Sequence, residues 1–148
     1  MKVIHILLLL LLLSACSVLN EQLPSHTKEC LNYEPQKVQL VGQLYKKSFP
    51  GPPNYTDINK GDEEEIYWLI KTTEPFCVNK SKDMWADKLV YQSEVQLVMN
   101  LEFDFYKNKR SLLGQKVVVQ GTLFPQMTGH HKTEVLITVE SLERAINE

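Results

Sequence analysis

Two adjacent histidines, His130 and His131, are the residues of this chain best suited to chemistry. Imidazole nitrogens bind zinc and copper, and they exchange protons near neutral pH. Glu134 follows them closely, and Asp62 could supply another oxygen ligand. Neighbours in an extended segment point to opposite faces, however, and a catalytic zinc needs three protein ligands. A metal-binding or metal-dependent hydrolytic protein centred on His130 and His131 is therefore the alternative interpretation rather than the preferred one.

The catalytic motifs that would favour an enzyme are missing from the sequence. It contains no GxSxG nucleophile motif and no HExxH zinc motif. The acidic run at residues 63–65 is interpreted as part of a charged turn, where carboxylates are usually solvated surface groups. We therefore expect a non-enzymatic protein with no catalytic residues and no cofactor.

The N-terminus has the pattern of a targeting segment. Lys2 precedes a leucine-rich apolar run, Val3–Leu13, and Leu13-Ser14-Ala15-Cys16 has the pattern of a cleavage site. The run is shorter than the roughly 20 apolar residues that span a bilayer. The pattern resembles the bacterial lipobox, in which the cysteine is acylated and becomes the new N-terminus. We expect a signal peptide at residues 1–15 and a lipidated tether at residues 16–29, with a conventional signal peptide and secretion to the periplasm as the alternative. Ser17, rather than Asp, follows the cysteine. By resemblance to known lipoproteins, this implies the outer membrane of a Gram-negative cell, with the domain facing the periplasm.

Two further cysteines, Cys30 and Cys77, lie beyond the tether. In an oxidising envelope compartment they most simply form one disulfide. A paired metal or redox role is the alternative, but their spacing is far from CxxC.

The formal net charge of −2 gives no basic stripe, and this argues against nucleic acid as a partner.

The elements that must position the histidines are β-strands. Hydrophobic residues alternate with polar ones in Lys116–Leu123 and again in Glu134–Val139. Similar patterns predict three upstream strands and a short helix, which begins at Asn100 and ends before Gly114. The upstream strands are expected at Lys37–Lys46, Ile66–Thr73 and Glu94–Met99.

Three strands, a helix and two strands follow the order of an OB-fold, a five-stranded Greek-key barrel. We therefore predict an all-β, OB-like domain over residues 30–148, with one short helix between the third and fourth strands. A plain β-sandwich is the rival, but it would leave unexplained the helix and Gly42, which suggests a bend in the first strand.

A proline-rich segment, Phe49–Tyr55, reads FPGPPNY and predicts a stiff turn. It is interpreted either as a rigid connection or as a preorganised recognition loop. In the second case the ligand would contact this loop together with Tyr67 and Leu69 of the second strand. His130 and His131 would border that surface. The candidate binding residues are Phe49, Tyr55, Asp62, Tyr67, His130 and His131.

Three ordered motifs resemble an uncharacterised bacterial envelope domain, a family of unknown function found in secreted and lipoprotein-type chains. They are FPGPPNY followed by Gly61-Asp62, then SLLGQKVVVQGTLF, then TGHHKT, and the resemblance spans roughly residues 30–139. Related sequences often carry histidine where this chain has Lys132 and Gln126, so this chain lacks nitrogen ligands that they have. The resemblance implies no activity.

The preferred interpretation is a lipid-anchored periplasmic module that binds an envelope protein or a small ligand. It would contact the membrane through its N-terminal lipid. A third possibility is a structural or inhibitory lipoprotein that blocks an envelope hydrolase. The sequence leaves the oligomeric state open.

Overall fold

The computed structural model describes residues 29–99 and 104–146. The predicted signal peptide, the tether from Cys16 to Lys28, and Asn100 lie outside these described residues. Within them, no helix is long and apolar enough to cross a membrane. The elements are β1 (Lys37–Pro50), β2 (Glu64–Val78), β3 (Val90–Met99), α1 (Phe105–Lys109), β4 (Lys116–Pro125) and β5 (Val135–Arg144), with 3₁₀ turns at Ile58–Lys60 and Arg110–Leu112.

The strands form a closed barrel in the order β1-β2-β3-β5-β4. All neighbouring pairs are antiparallel except β3 and β5, which run parallel. The barrel closes where β1 pairs with β4, and α1 lies between β3 and β4 in the chain. The prediction of an all-β, OB-like five-stranded barrel with one short helix is therefore confirmed.

The predicted alternation fills the barrel interior. On four strands the residues that alternate toward one face are buried. They are Val38, Leu40, Gly42 and Leu44 of β1, Val95, Leu97 and Met99 of β3, Val117, Val119, Gly121 and Leu123 of β4, and Val135, Ile137 and Val139 of β5. Two glycines allow neighbouring strands to approach closely. A Cβ at Gly42 would collide with the backbone carbonyl of Lys71, and a Cβ at Gly121 would collide with the backbone carbonyl of Thr138. The β4–β5 register shifts between Gln120 and Gly121, as expected where a glycine permits a bulge.

Both strands of the first hairpin are longer than the sequence pattern predicted. β1 continues past Lys46 to Pro50, and Pro50 pairs with Glu64 at the start of β2. The alternation fails there because Lys46, Lys47 and Ser48 are all exposed. Phe49 and Pro50 therefore belong to the strand, and the loop proper begins at Gly51.

β2 also continues past Thr73, its predicted end, through Pro75 to Val78, and β3 begins at Val90 rather than at the predicted Glu94. The β2–β3 register shifts between Lys71 and Phe76. A proline is tolerated in such an interruption because no ladder hydrogen bond is required of it.

A second buried layer lies on the outside of the sheet. Leu69, Phe124 and Leu136 are buried but do not belong to the cluster that fills the barrel. Leu69 pairs with Gln96, and Gln96 pairs with Leu136, so the row crosses β2, β3 and β5. The expectation that Leu69 contributes to an exposed face is wrong, because its side chain is fully buried.

The predicted disulfide between Cys30 and Cys77 is present and closes a separation of 47 residues. Beside it, the backbone N–H of Leu31 donates to the carbonyl of Cys77 at 2.8 Å, and that of Asn79 donates to the carbonyl of Leu31 at 2.8 Å. The first described residues are therefore fixed to the C-terminal end of β2.

Candidate functional site formed by two loops

The β1–β2 loop (residues 51–63) is organised around the carboxylate of Asp62. Asp62 is 5% exposed and accepts backbone N–H hydrogen bonds from Asn54 at 2.9 Å, Thr56 at 2.7 Å and Asp57 at 2.9 Å. The side chains of Asn54 and Thr56 donate to it as well. Because the prolines cannot donate, a carboxylate supplies the fixed partner for the N–H groups that remain.

The same hydrogen bonds set the charge of Asp62. The backbone N–H groups of Asp57 and Thr56 hold its pKa well below the usual range, and this outweighs the opposing effect of burial. Asp62 therefore stays ionised, with both oxygens engaged inside the loop.

The β4–β5 loop (residues 126–134) folds onto the outer face of the barrel through Gln96 of β3. The buried Gln96 side chain accepts from the N–H of Lys132 at 2.6 Å and donates to the carbonyl of His130 at 3.1 Å. In addition, the hydroxyl of Thr133 accepts from the N–H of Gln96 at 3.0 Å. The loop therefore lies on the side of the sheet where Leu69 and Leu136 are buried.

His131 supports this loop from within. Its Nδ1 accepts the N–H of Met127 at 2.9 Å, and its ring packs edge-on against Phe124 with centroids 5.4 Å apart. Burial, followed by the neighbouring His130, lowers the pKa of His131. The neutral ring with its proton on Nε2 is the form that fits, because Nδ1 must accept.

His130 projects in a different direction and joins a chain of polar groups. Its Nδ1 lies 2.9 Å from Glu65 Oε1 and 3.2 Å from the hydroxyl of Tyr67, and its Nε2 lies 3.4 Å from the hydroxyl of Tyr55. Tyr67 donates to the other oxygen of Glu65 at 2.9 Å. Because the carboxylate can only accept, His130 carries a proton on Nδ1, and in the neutral ring Nε2 accepts from Tyr55.

Burial and hydrogen bonding within the cluster keep Glu65 ionised and Tyr67 protonated. Burial raises the pKa of Glu65, but the hydrogen bond from Tyr67 and the nearby Lys132 outweigh it, so that the pKa lies below its usual value. Burial, followed by the hydrogen bond to Glu65, raises the pKa of Tyr67. The phenol therefore remains a donor.

The ammonium group of Lys132 occupies the centre of this arrangement. Its side chain is 8% exposed and its Nζ lies 3.3 Å from Glu65 Oε2. It donates to the carbonyl of Pro50 at 3.1 Å and to that of Gly129 at 2.8 Å. Three rings surround it within cation–π range, with Nζ-to-centroid distances of 5.9 Å for Phe49, 5.0 Å for Tyr55 and 5.5 Å for Tyr67.

The two loops are thus in direct contact, and part of the contact faces solvent. Tyr55 has a φ of 58° and packs edge-on against His130, with ring centroids 5.6 Å apart. Tyr55 is 36% exposed and the side chain of His130 is 54% exposed. Ile58 and Met127 add exposed apolar surface on the same loops.

The geometry does not bring the two histidines together as metal ligands. His130 is directed to Glu65 and His131 to the backbone of Met127. Among the described residues, no group of three or more His, Cys, Asp or Glu side chains could hold a metal ion. The ammonium of Lys132 beside Glu65 further disfavours a cation there.

Comparison with known proteins finds a family model that matches one part of the chain, and this part includes the β4–β5 loop. Residues 94–143 match the family described as Domain of unknown function (DUF4431). Over that segment the match confirms the expected resemblance to an uncharacterised domain family. No curated protein matches the chain.

The DUF4431 match covers only one side of the site. It contains Gln96, His130 and Lys132, whereas Tyr55 and Glu65 lie outside it. DUF4431 is described only as a domain of unknown function, so the match indicates no activity.

The structure gathers four of the predicted binding residues and separates two. Phe49, Tyr55, Tyr67 and His130 surround Lys132 and Glu65. Asp62 and His131 serve their own loops instead. Sequence reasoning missed Glu65, Gln96 and Lys132, although the alternation could have placed Glu65 and Tyr67 on one face of β2.

Proposed function

We propose that this protein is a lipid-anchored, non-enzymatic binding module of the bacterial cell envelope, and that its ligand contacts the rim formed by the two loops. The contact between Tyr55 and His130 carries the proposal. In OB-folds the β1–β2 and β4–β5 loops flank the ligand-binding face, and here these two loops meet.

The site of contact differs from the usual OB-fold face. The outer surface of β2 and β3 is filled at Leu69 and Gln96, where the β4–β5 loop is fixed. A ligand would therefore meet the loop rim, which offers a phenol, an imidazole and two exposed apolar side chains. These are Tyr55, His130, Ile58 and Met127.

The bonding within the site supports recognition rather than catalysis. Asp62 is bonded to three backbone N–H groups, and Glu65 is held by Tyr67 and Lys132. A rigid, internally bonded surface lowers the entropy cost of binding. An envelope protein or a small ligand fits such a rim, whereas the net charge of −2 argues against nucleic acid.

The anchor is proposed from the lipobox-like Leu13–Cys16 segment. Acylation of Cys16 would hold the domain at the outer membrane, facing the periplasm. Expression of the full chain and of Cys16→Ser tests this. The parent protein should fractionate with membranes and incorporate labelled palmitate, and the variant should do neither; equal fractionation of both would contradict the anchor.

Photo-cross-linking in intact cells tests the binding rim. A photoreactive residue at Met127, which is 67% exposed, should give one discrete adduct, detectable as a defined mass increase. The same residue at Lys116, at the other end of β4, is the matched control and should give none. Tyr55→Ala should reduce the Met127 adduct at least about fivefold. Identical adducts from both positions, or none from Met127, would contradict the proposal.

A further inference from the structure

The β2–β3 loop (residues 79–89) presents a tryptophan to solvent. The backbones of Ser81 and Ala86 are joined by two hydrogen bonds. The N–H of Ser81 donates to the carbonyl of Ala86 at 2.8 Å, and the N–H of Ala86 donates to the carbonyl of Ser81 at 2.9 Å. Ala86 is buried and Met84 packs against the core, while Trp85 between them is 93% exposed. Trp85 also has a φ of 55°, a conformation that bulky residues rarely adopt.

Other residues beside this loop have the composition of a membrane interface. Leu89 is 44% exposed and Tyr91 is 73% exposed. Exposed lysines flank the tryptophan at positions 80, 82 and 88. Trp and Tyr concentrate at membrane–water interfaces because one part of the ring is apolar and another is polar. Lysines extend their charge to the headgroups.

This surface lies at the end of the barrel that the tether reaches. Tyr91 pairs with Cys77 across β2 and β3, and Cys77 is bonded to Cys30. Cys16 precedes Glu29 by 13 positions, and a chain of that length spans at most about 45 Å in any conformation. A lipid on Cys16 would therefore hold this end of the barrel within about 45 Å of the bilayer.

We propose that the Trp85 surface (Trp85, Leu89 and Tyr91) inserts into the headgroup region of the membrane that holds the lipid anchor. This inference rests on the proposed anchor and deepens it, because two attachments fix the orientation of the barrel. Glu65 is at the opposite end of β2 from Cys77, so the part of the rim at Tyr55 and His130, beside Glu65, would lie away from the membrane. The β4–β5 loop extends from there back to Glu134, which pairs with Lys88.

The charges around Trp85 set the type of lipid surface that it contacts. Asp83 and Asp87 offset most of the charge of the three lysines. Lys88 is paired with Glu134 at 2.8 Å. Contact should therefore depend mainly on the apolar side chains and change little with salt or with the fraction of anionic lipid.

Fluorescence quenching by brominated phospholipids tests the inference. The full-length acylated protein is reconstituted into vesicles of phosphatidylethanolamine and phosphatidylglycerol, with bromine close to the headgroup. Trp85 emission should shift to the blue and lose at least half its intensity, while Trp68, which is 9% exposed in the core, should remain unquenched. Trp85→Ala should abolish the quenchable component, and Ile66→Ser, an exposed change near the start of β2, should leave it intact.

Three measurements keep the separate proposals distinguishable. Membrane fractionation reports the anchor, lipid quenching reports the Trp85 surface, and the Met127 adduct reports the binding rim. The membrane contact is refuted if the acylated protein is incorporated into the vesicles and acrylamide in the aqueous phase still quenches Trp85 as strongly as it does in the absence of lipid and detergent. Protection of Trp85 in native membranes but not in lipid vesicles would also refute it, since a protein would then cover the surface.

Discussion

The side-chain amide of Gln96 fixes the backbone at Lys132. Its oxygen accepts the Lys132 N–H at 2.6 Å, and its nitrogen donates to the carbonyl of His130 at 3.1 Å. A residue of β3 thereby determines how a loop between β4 and β5 lies on the barrel. The same two bonds set where the His130 ring and the Lys132 ammonium can reach.

Gln96→Leu should destabilise the domain by about 2 kcal/mol, because two backbone groups would lose their partner beneath the loop. Gln120→Leu is the matched control, since Gln120 is exposed and bonds only the side chain of Gln39 among the described contacts; its effect should stay within about 0.5 kcal/mol. Urea unfolding measures both. Faster hydrogen exchange at the Lys132 amide should accompany the Gln96 change alone.

Alternating patterns made the barrel predictable, but the site depends on contacts between distant segments. Val117, Val119 and Leu123 repeat with the period of a strand that has one buried face. Gln96 gives no such signal, because a polar residue is ordinary at an outward position. Its partners lie 34 and 36 residues away.

The positions of Lys132 and Leu69 could not be predicted from the sequence either, because the groups that surround them come from distant segments of the chain. From the sequence, Lys132 only replaces a histidine of related chains. In the structure its ammonium fills a space between β1, β2 and the β4–β5 loop. Leu69 alternates as an outward residue but is fully buried, since a loop fixed by Gln96 lies against that side of the sheet.

Lys132→Met should cost about 2 kcal/mol of stability. The carboxylate of Glu65 would remain largely buried among aromatic rings without its ammonium partner, although partial exposure keeps the cost below that of a fully buried pair. Lys37→Met removes an exposed pair with Glu140 and should cost less than about 1 kcal/mol. A double-mutant cycle with Glu65→Gln measures the coupling, and a coupling near zero would contradict the assignment.

Asp62→Asn should destabilise the β1–β2 loop in a pH-dependent manner. The folded pKa of Asp62 lies well below its unfolded value of about 3.9. Its contribution to stability is therefore complete above about pH 4 and is lost as the pH falls toward the folded pKa. The stability difference between parent and variant, measured from pH 7 to pH 2, should be constant at first and then shrink. A difference that grows on acidification would contradict this account.

Loss of the Cys30–Cys77 disulfide should lower stability by about 4 kcal/mol, as expected for a closed loop with a separation of 47 residues. The measurement is urea unfolding in a Cys16→Ser background, which removes the third thiol. Cys30→Ser, Cys77→Ser and the double variant should all lose about the same amount, because each removes the same single bond. Markedly unequal losses would mean that packing of one cysteine dominates.

His131 should make the β4–β5 loop sensitive to mild acid. Burial, followed by His130, lowers its folded pKa below the usual value of about 6.5. The unfolded chain therefore takes up the proton first, and stability is complete above about pH 6.5 and declines as the pH falls toward the folded pKa. Protonation at Nδ1 would also remove the acceptor for the Met127 N–H. His131→Asn retains an acceptor that does not titrate. The loss of stability between pH 7 and pH 5 should therefore be smaller in this variant than in the parent. If both proteins have the same pH profile, groups other than His131 cause the loss.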